Sequence, residues 1–177
     1  MKKKSSKAKK TNRMAAGPAR KAGRKTKRAA GTRNLGTPDA KVLLPGMIRA
    51  ARTCGAILRK YYESLNRQGL RVSEKVGAGL VTNADIESEK ACVKALAKLR
   101  PDFSFLTEEE TITRELRPLP GRGRWIIDPL DGTTNFVHGF PMFCVSIGAE
   151  WDGQIIAAVI EHPILRETYT ATLGGGA

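Results

Sequence analysis

The sequence predicts an α+β fold in which helices layer against an antiparallel sheet. Two segments, residues 39–66 and 81–100, repeat apolar side chains at helical spacing. From Phe143 onward, short alternating runs are separated by turn signals, the strongest being Asp152-Gly153. A chain of 177 residues is long enough to bury one core between these layers.

Residues 1–36 are expected to form a basic disordered tail, and residues 37–177 the folded domain. Up to Arg33 the chain holds 14 of its 31 Lys and Arg and no Asp or Glu, which leaves 17 basic residues against all 17 acidic ones. The net charge of +14 therefore belongs to the tail, and the domain is neutral overall. Too few apolar groups lie in the tail to offset the entropy of ordering it. Residues 1–33 could neutralise nucleic-acid phosphates; with no aromatic side chain for stacking, such binding would be independent of sequence and sensitive to salt. No apolar segment follows these charges, which argues against a secretory signal. No run approaches the roughly 18 apolar residues of a membrane span, so no membrane partner is expected. Cys54, Cys92 and Cys144 lack C-x-x-C spacing and sit in apolar stretches, which reads as buried thiols in a reducing, cytoplasmic setting.

The first helix is expected over residues 39–66, with Leu44, Met47, Ile48, Ala51, Cys54, Gly55, Leu58, Tyr61, Tyr62 and Leu65 on its apolar side. Pro45 suits a first turn, so the regular part is expected to start there. Residues 69–79 read as a short strand and a loop containing Lys75. Thr82 or Asn83 caps the second helix, Asp85 favours its positive end, and Arg100-Pro101 closes it. Phe103 to Leu106 reads as a short strand, followed by the carboxylates Glu108, Glu109 and Glu110. Residues 111–124 read as a polar surface loop. His138 to Pro141 form a turn; strands follow over 143–150, 155–160 and 168–172 as an antiparallel meander, and Gly174 to Gly176 make a final turn.

Chemistry concentrates in Trp125-Ile126-Ile127-Asp128-Pro129-Leu130-Asp131-Gly132-Thr133-Thr134. Trp125 to Ile127 read as a buried strand that Pro129 ends in a turn. Asp128, Asp131 and the Leu130 carbonyl could then converge on one point. Oxygen donors of this kind suit Mg²⁺, or Mn²⁺, better than zinc. Gly132 allows a ligand close to the backbone, and a helix starting there would offer its N–H groups to an anion. Taken alone, D-x-x-D-G is as readily ordinary turn chemistry with one Asp as a cap.

The longer stretch DPLDGTTNF, with WII before it, resembles the signature of the inositol monophosphatase family, and the resemblance runs from about Ala40 to the last residue. That family consists of Mg²⁺-dependent, lithium-sensitive phosphatases of small sugar and polyol phosphates, commonly homodimers, on a fold that alternates helical and sheet layers. The resemblance implies that Glu108, Asp128 and the Leu130 carbonyl hold one Mg²⁺, and that Asp128 and Asp131 hold a second. It implies that Glu108 and Thr133 orient the attacking water, and that Asp131, Gly132, Thr133 and Thr134 meet the substrate. It also implies an outer-shell place for Asp85, in a V-T-x-x-D pattern, and for Lys75 on a mobile loop. Thr107 departs from the Gly usual before the family's paired Glu. Enzymes acting on fructose bisphosphate or a phosphoadenosine nucleotide share the metal motif; V-H-G-F-P after DGTTNF leans toward inositol phosphates, inositol monophosphate first.

The family's second half carries a further metal-binding Asp in a W-D-x-A-A-G element. Trp151-Asp152-Gly153 starts similarly but sits in the hairpin signal. The expectation is a chain truncated before its C-terminal half, with low activity by itself.

Overall fold

The structure, a computed structural model, describes residues 36–65, 70–75, 79–108 and 122–177. The expectation for the tail falls outside them, as do Glu109 and most of the loop expected before Arg124.

Helix α1 spans Ala40–Glu63. The Asp39 side chain caps it by accepting from the Lys41 N–H at 2.8 Å. The helix thus begins ahead of Pro45, which lies inside it rather than opening it. Pro45 is on the exposed side, so the carbonyl it fails to bond can turn to water and the helix continues. Met47, Ala50, Cys54 and Leu58 form its buried side. A Cβ on Gly55 would approach the Glu161 side chain to 3.2 Å, so this glycine lets the sheet come close.

Two short strands follow, β1 (Val72–Lys75) and β2 (Gly79–Thr82), paired antiparallel where a strand and a loop were expected. Helix α2 (Asn83–Leu99) begins with a full capping box: Thr82 accepts from the Asp85 N–H, and the Asp85 carboxylate accepts from the Thr82 N–H.

The sheet proper has five strands in sequence order: β3 (Ser104–Thr107), β4 (Gly123–Asp131), β5 (Cys144–Trp151), β6 (Gln154–His162) and β7 (Glu167–Thr172). From β5 to β7 it is the expected antiparallel meander, β4 extends it antiparallel to β5, and Asp152 and Gly153 make its tight turn with φ of 50° and 80°. The first pair differs, because β3 runs parallel to β4. Burial alternates along β4 and β5, so one face is apolar and closed. Trp125, Ile127, Val145, Ile147 and Val159 from that face join Met47, Leu58, Cys92 and Leu96 of the helices in a single core.

Candidate metal centre

Two features of β4 assemble the site. The parallel register sets Thr107 opposite Ile127, so Glu108 emerges from β3 beside Asp128. The second feature is a bulge. In an unbroken strand, residues three apart point to opposite faces. Here Asp128 pairs with Ser146 and Asp131 with Cys144, three steps along one strand against two along the other. The extra residue brings both carboxylates to one face. Pro129 was expected to end the strand. Instead β4 passes through it, because a bulge needs no ladder N–H at that point. The Ser88 hydroxyl donates to the Pro129 carbonyl at 3.2 Å, tying the bulge to α2.

Gly132 follows in the left-handed region with φ of 94° and ψ of 35°. A Cβ there would meet the Met142 carbonyl oxygen at 3.0 Å, so both conformation and space require glycine. A helix does begin after Gly132: α3 (Thr133–Val137), a single short turn. The Thr133 hydroxyl lies 3.0 Å from the Leu130 carbonyl and 3.2 Å from Asp85 Oδ1. Asp85 is therefore both cap and link: its other oxygen accepts from the Thr82 N–H at 2.9 Å and the Thr82 hydroxyl at 2.5 Å. Burial pushes the Asp85 carboxyl above its ordinary range, against the pull of the Thr82 hydrogen bonds.

Asp128 is pushed further, to about 7. Burial is the first cause, followed by the Glu108 charge, a shared hydrogen bond with Glu108, and the Asp131 charge; the Leu130 N–H, donating to Oδ1 at 3.1 Å, works the other way. Two carboxylates in such proximity share a proton or take a cation. Among the described residues no three His, Cys, Asp or Glu side chains already form a metal cage. The donor set still fits a hard divalent cation, since Glu108, Asp128, Asp131 and the Leu130 carbonyl supply only oxygen.

Other expected residues fall differently. Lys75 ends β1, and the approach of its side chain to the site falls outside what the structure describes. Thr134 is exposed in α3, and its carbonyl accepts from the His138 N–H. His138 is exposed and bonded through Nδ1 to that carbonyl at 2.8 Å, a local cap. Cys144 was expected to be a buried thiol like Cys54 and Cys92; it is half-buried, with Sγ 3.7 Å from Asp131 Oδ2. Burial and the two nearby aspartates raise that thiol to about 11. Its place was legible in the period-two pattern, since it is out of phase with the buried Val145 and Ile147. The groove beside Glu108 and Asp128, about 610 Å³, runs over the sheet face away from the helices, with Ile126, Gly148, Ala158 and Ile160 along it.

Known proteins share the sequence and fold of this domain. The family model described as the inositol monophosphatase family matches residues 39–177. An inositol-1-monophosphatase of Rhizobium meliloti is 42% identical over 135 residues, covering 76% of this chain and 49% of that protein. The Nus factor SuhB of Pasteurella multocida is 42% identical over 130 residues, covering 73% and 47%. Among solved structures, the extragenic suppressor protein suhB of Bartonella henselae superposes with a TM-score of 0.68 at 42% identity, covering 76% of this chain and 50% of that one. An IMPase of Thermotoga maritima gives 0.64 at 34% identity, covering 75% and 49%. The chain spans about half the length of the curated relatives it matches. With the family match running from the cap of α1 through the bulged strand to the last residue, the chain belongs to the inositol monophosphatase family.

Proposed function

We propose that the Glu108–Asp128–Asp131 corner serves hydrolysis of a small phosphate monoester, inositol monophosphate first, with Mg²⁺ or Mn²⁺ as cofactor. The observation that supports this reading is the parallel register joined to the bulge, which sets Glu108 and Asp131 near a buried Asp128 whose carboxyl is pushed up to about 7. Glu108, Asp128 and the Leu130 carbonyl would hold one cation, and Asp128 with Asp131 a second. When bound, such a pair lowers the pKa of the attacking water and stabilises the leaving oxygen. Asp128 must release its proton before it can ligate. Thr133, with Leu130 and Asp85 against its hydroxyl, would orient the attacking water together with Glu108. The Gly132 and Thr133 N–H groups, with Thr134, would meet the phosphate oxygens. Residues 37–177 would form the domain, working as a lithium-sensitive cytoplasmic homodimer.

The test is Mg²⁺-dependent phosphate release from inositol 1-phosphate, with and without lithium, by the chain alone and mixed with the C-terminal half of a relative. Low turnover alone and higher turnover in the mixture are expected. Asp128→Asn should abolish whatever rate is seen; an unchanged rate would sink the assignment. Fructose bisphosphate and a phosphoadenosine nucleotide, assayed alongside, decide between substrates.

A second reading rests on residues 1–33, with 14 basic and no acidic side chains. Some relatives are named Nus factor SuhB, a name that points away from catalysis alone. In this reading the basic segment contacts nucleic acid and the domain is its scaffold. Deleting residues 1–33 should then weaken RNA binding and leave any phosphatase rate unchanged.

A further inference from the structure

The neutrality of the domain hides a separation of charge. On α1, Lys41, Arg49 and Lys60 are exposed, and on α2, Lys90, Lys94 and Lys98. The α2 lysines recur every four residues, so they project from one side about 6 Å apart along the axis. Arg49 and Lys98 line one shallow groove between the helices, of about 360 Å³, together with Thr53 and Ala95. Exposed carboxylates on these helices are few and peripheral. Asp39 caps α1, Glu63 is its last residue, and Glu87 accepts from the Tyr61 hydroxyl at 2.7 Å. Asp85 and Glu89 are buried. The two ion pairs between described residues use Arg100 with Asp102 and Arg124 with Glu150, and neither engages these exposed cations.

We propose that this helical ridge binds the phosphate backbone of a nucleic acid without reading its sequence. A strand of B-DNA carries one charge per roughly 3.4 Å of axis, so lysines a helical turn apart can engage separate phosphates. Lysine suits this task as a compact charge on a flexible stem. Both tyrosines of α1 are only partly exposed, and Tyr61 is bonded to Glu87, so the face offers no ready stacking platform. An acidic helix seated between α1 and α2 would need apolar anchors. The groove offers Gly46, Ala50 and the edge of Leu99, and Val42 is the large apolar side chain exposed on the described helices. The ridge lies on the opposite side of the sheet from Glu108 and Asp128, and it stands apart from the reading given to residues 1–33.

The test uses the full chain, with residues 1–33 in place. Anisotropy of a labelled single-stranded RNA and of a labelled DNA duplex is followed across salt concentrations. The Lys90→Gln, Lys94→Gln, Lys98→Gln triple variant should reduce the slope of log affinity against log salt by about 2 on the single strand, at about 0.7 per lost contact. Adding Arg49→Gln should lower it again, and Arg166→Gln, on the β6–β7 turn, should leave it unchanged. Lys94→Glu alone is a second route, expected to weaken binding of both probes. A wild-type slope in the triple variant overturns the proposal and assigns all binding to residues 1–33. Absence of nucleic-acid binding by the wild type overturns it as well. So does loss of binding to a poly-glutamate peptide with the RNA curve intact. Phosphatase rate is not a readout here, so failure of the catalytic reading leaves this test standing.

Discussion

Glu108 stands beside Asp128 because β3 and β4 run parallel, with Thr107 opposite Ile127. The two carboxylates are twenty positions apart in the chain, and one step of register joins them. A slip of one position would turn Glu108 to the other face of the sheet and dissolve the site.

The same proximity sets a pH dependence. In the metal-free protein Asp128 titrates at about 7, well above the usual carboxylate range that it regains on unfolding. The folded state therefore holds more protons than the unfolded state between roughly pH 4 and 7. Stability should be greatest at the acidic end of that window, fall as pH rises through 7, and level off above it. Asp128→Asn should flatten this slope. Urea unfolding of the metal-free protein from pH 4.5 to 8.5 checks the sign. Mg²⁺ should raise the midpoint more at pH 8 than at pH 6, because binding requires the deprotonated carboxyl.

Gly132→Ala combines two costs. A side chain at φ of 94° is strained, and its Cβ would lie 3.0 Å from the Met142 carbonyl. A loss of about 1–3 kcal/mol is expected from the backbone strain. Equilibrium unfolding measures it, and an unchanged midpoint would mean that the turn relaxes freely.

Thr107→Val should be neutral or stabilising. The Thr107 hydroxyl is buried with no hydrogen-bond partner among the described residues. Removing an unsatisfied polar atom while keeping a β-branched shape in a strand should gain up to about 1 kcal/mol. A clear loss in the unfolding midpoint would show that the hydroxyl has a partner in solution.

Much of the fold was legible because it depends on local patterns. The helical spacing of α1, the Thr82 cap, the Arg100 stop and the Asp152-Gly153 hairpin each follow from neighbours in sequence. Local patterns also misled where a distant partner decided. Pro45 looked like a helix start, but the Asp39 cap and a core-facing side carry the helix across it. Pro129 looked like the end of a strand, but the bulge against β5 accommodates it. Cys144 was grouped with two core thiols until pairing with Asp131 set it on the other face.

The sequence by itself determined the composition of the site: oxygen donors at Glu108, Asp128, Leu130 and Asp131, the glycine at 132, and the family they resemble. Residue type and short spacing are properties of the chain, and so is the excess of positive charge in residues 1–33. Only the tertiary structure decided that β3 is parallel, that Asp131 shares a face with Asp128, and that Asp85 reaches Thr133 across 48 positions. It also decided that Arg49 of α1 and Lys98 of α2 line one groove. Those facts are choices of register and packing, fixed by which apolar side chains share the core and by strands and helices distant along the chain.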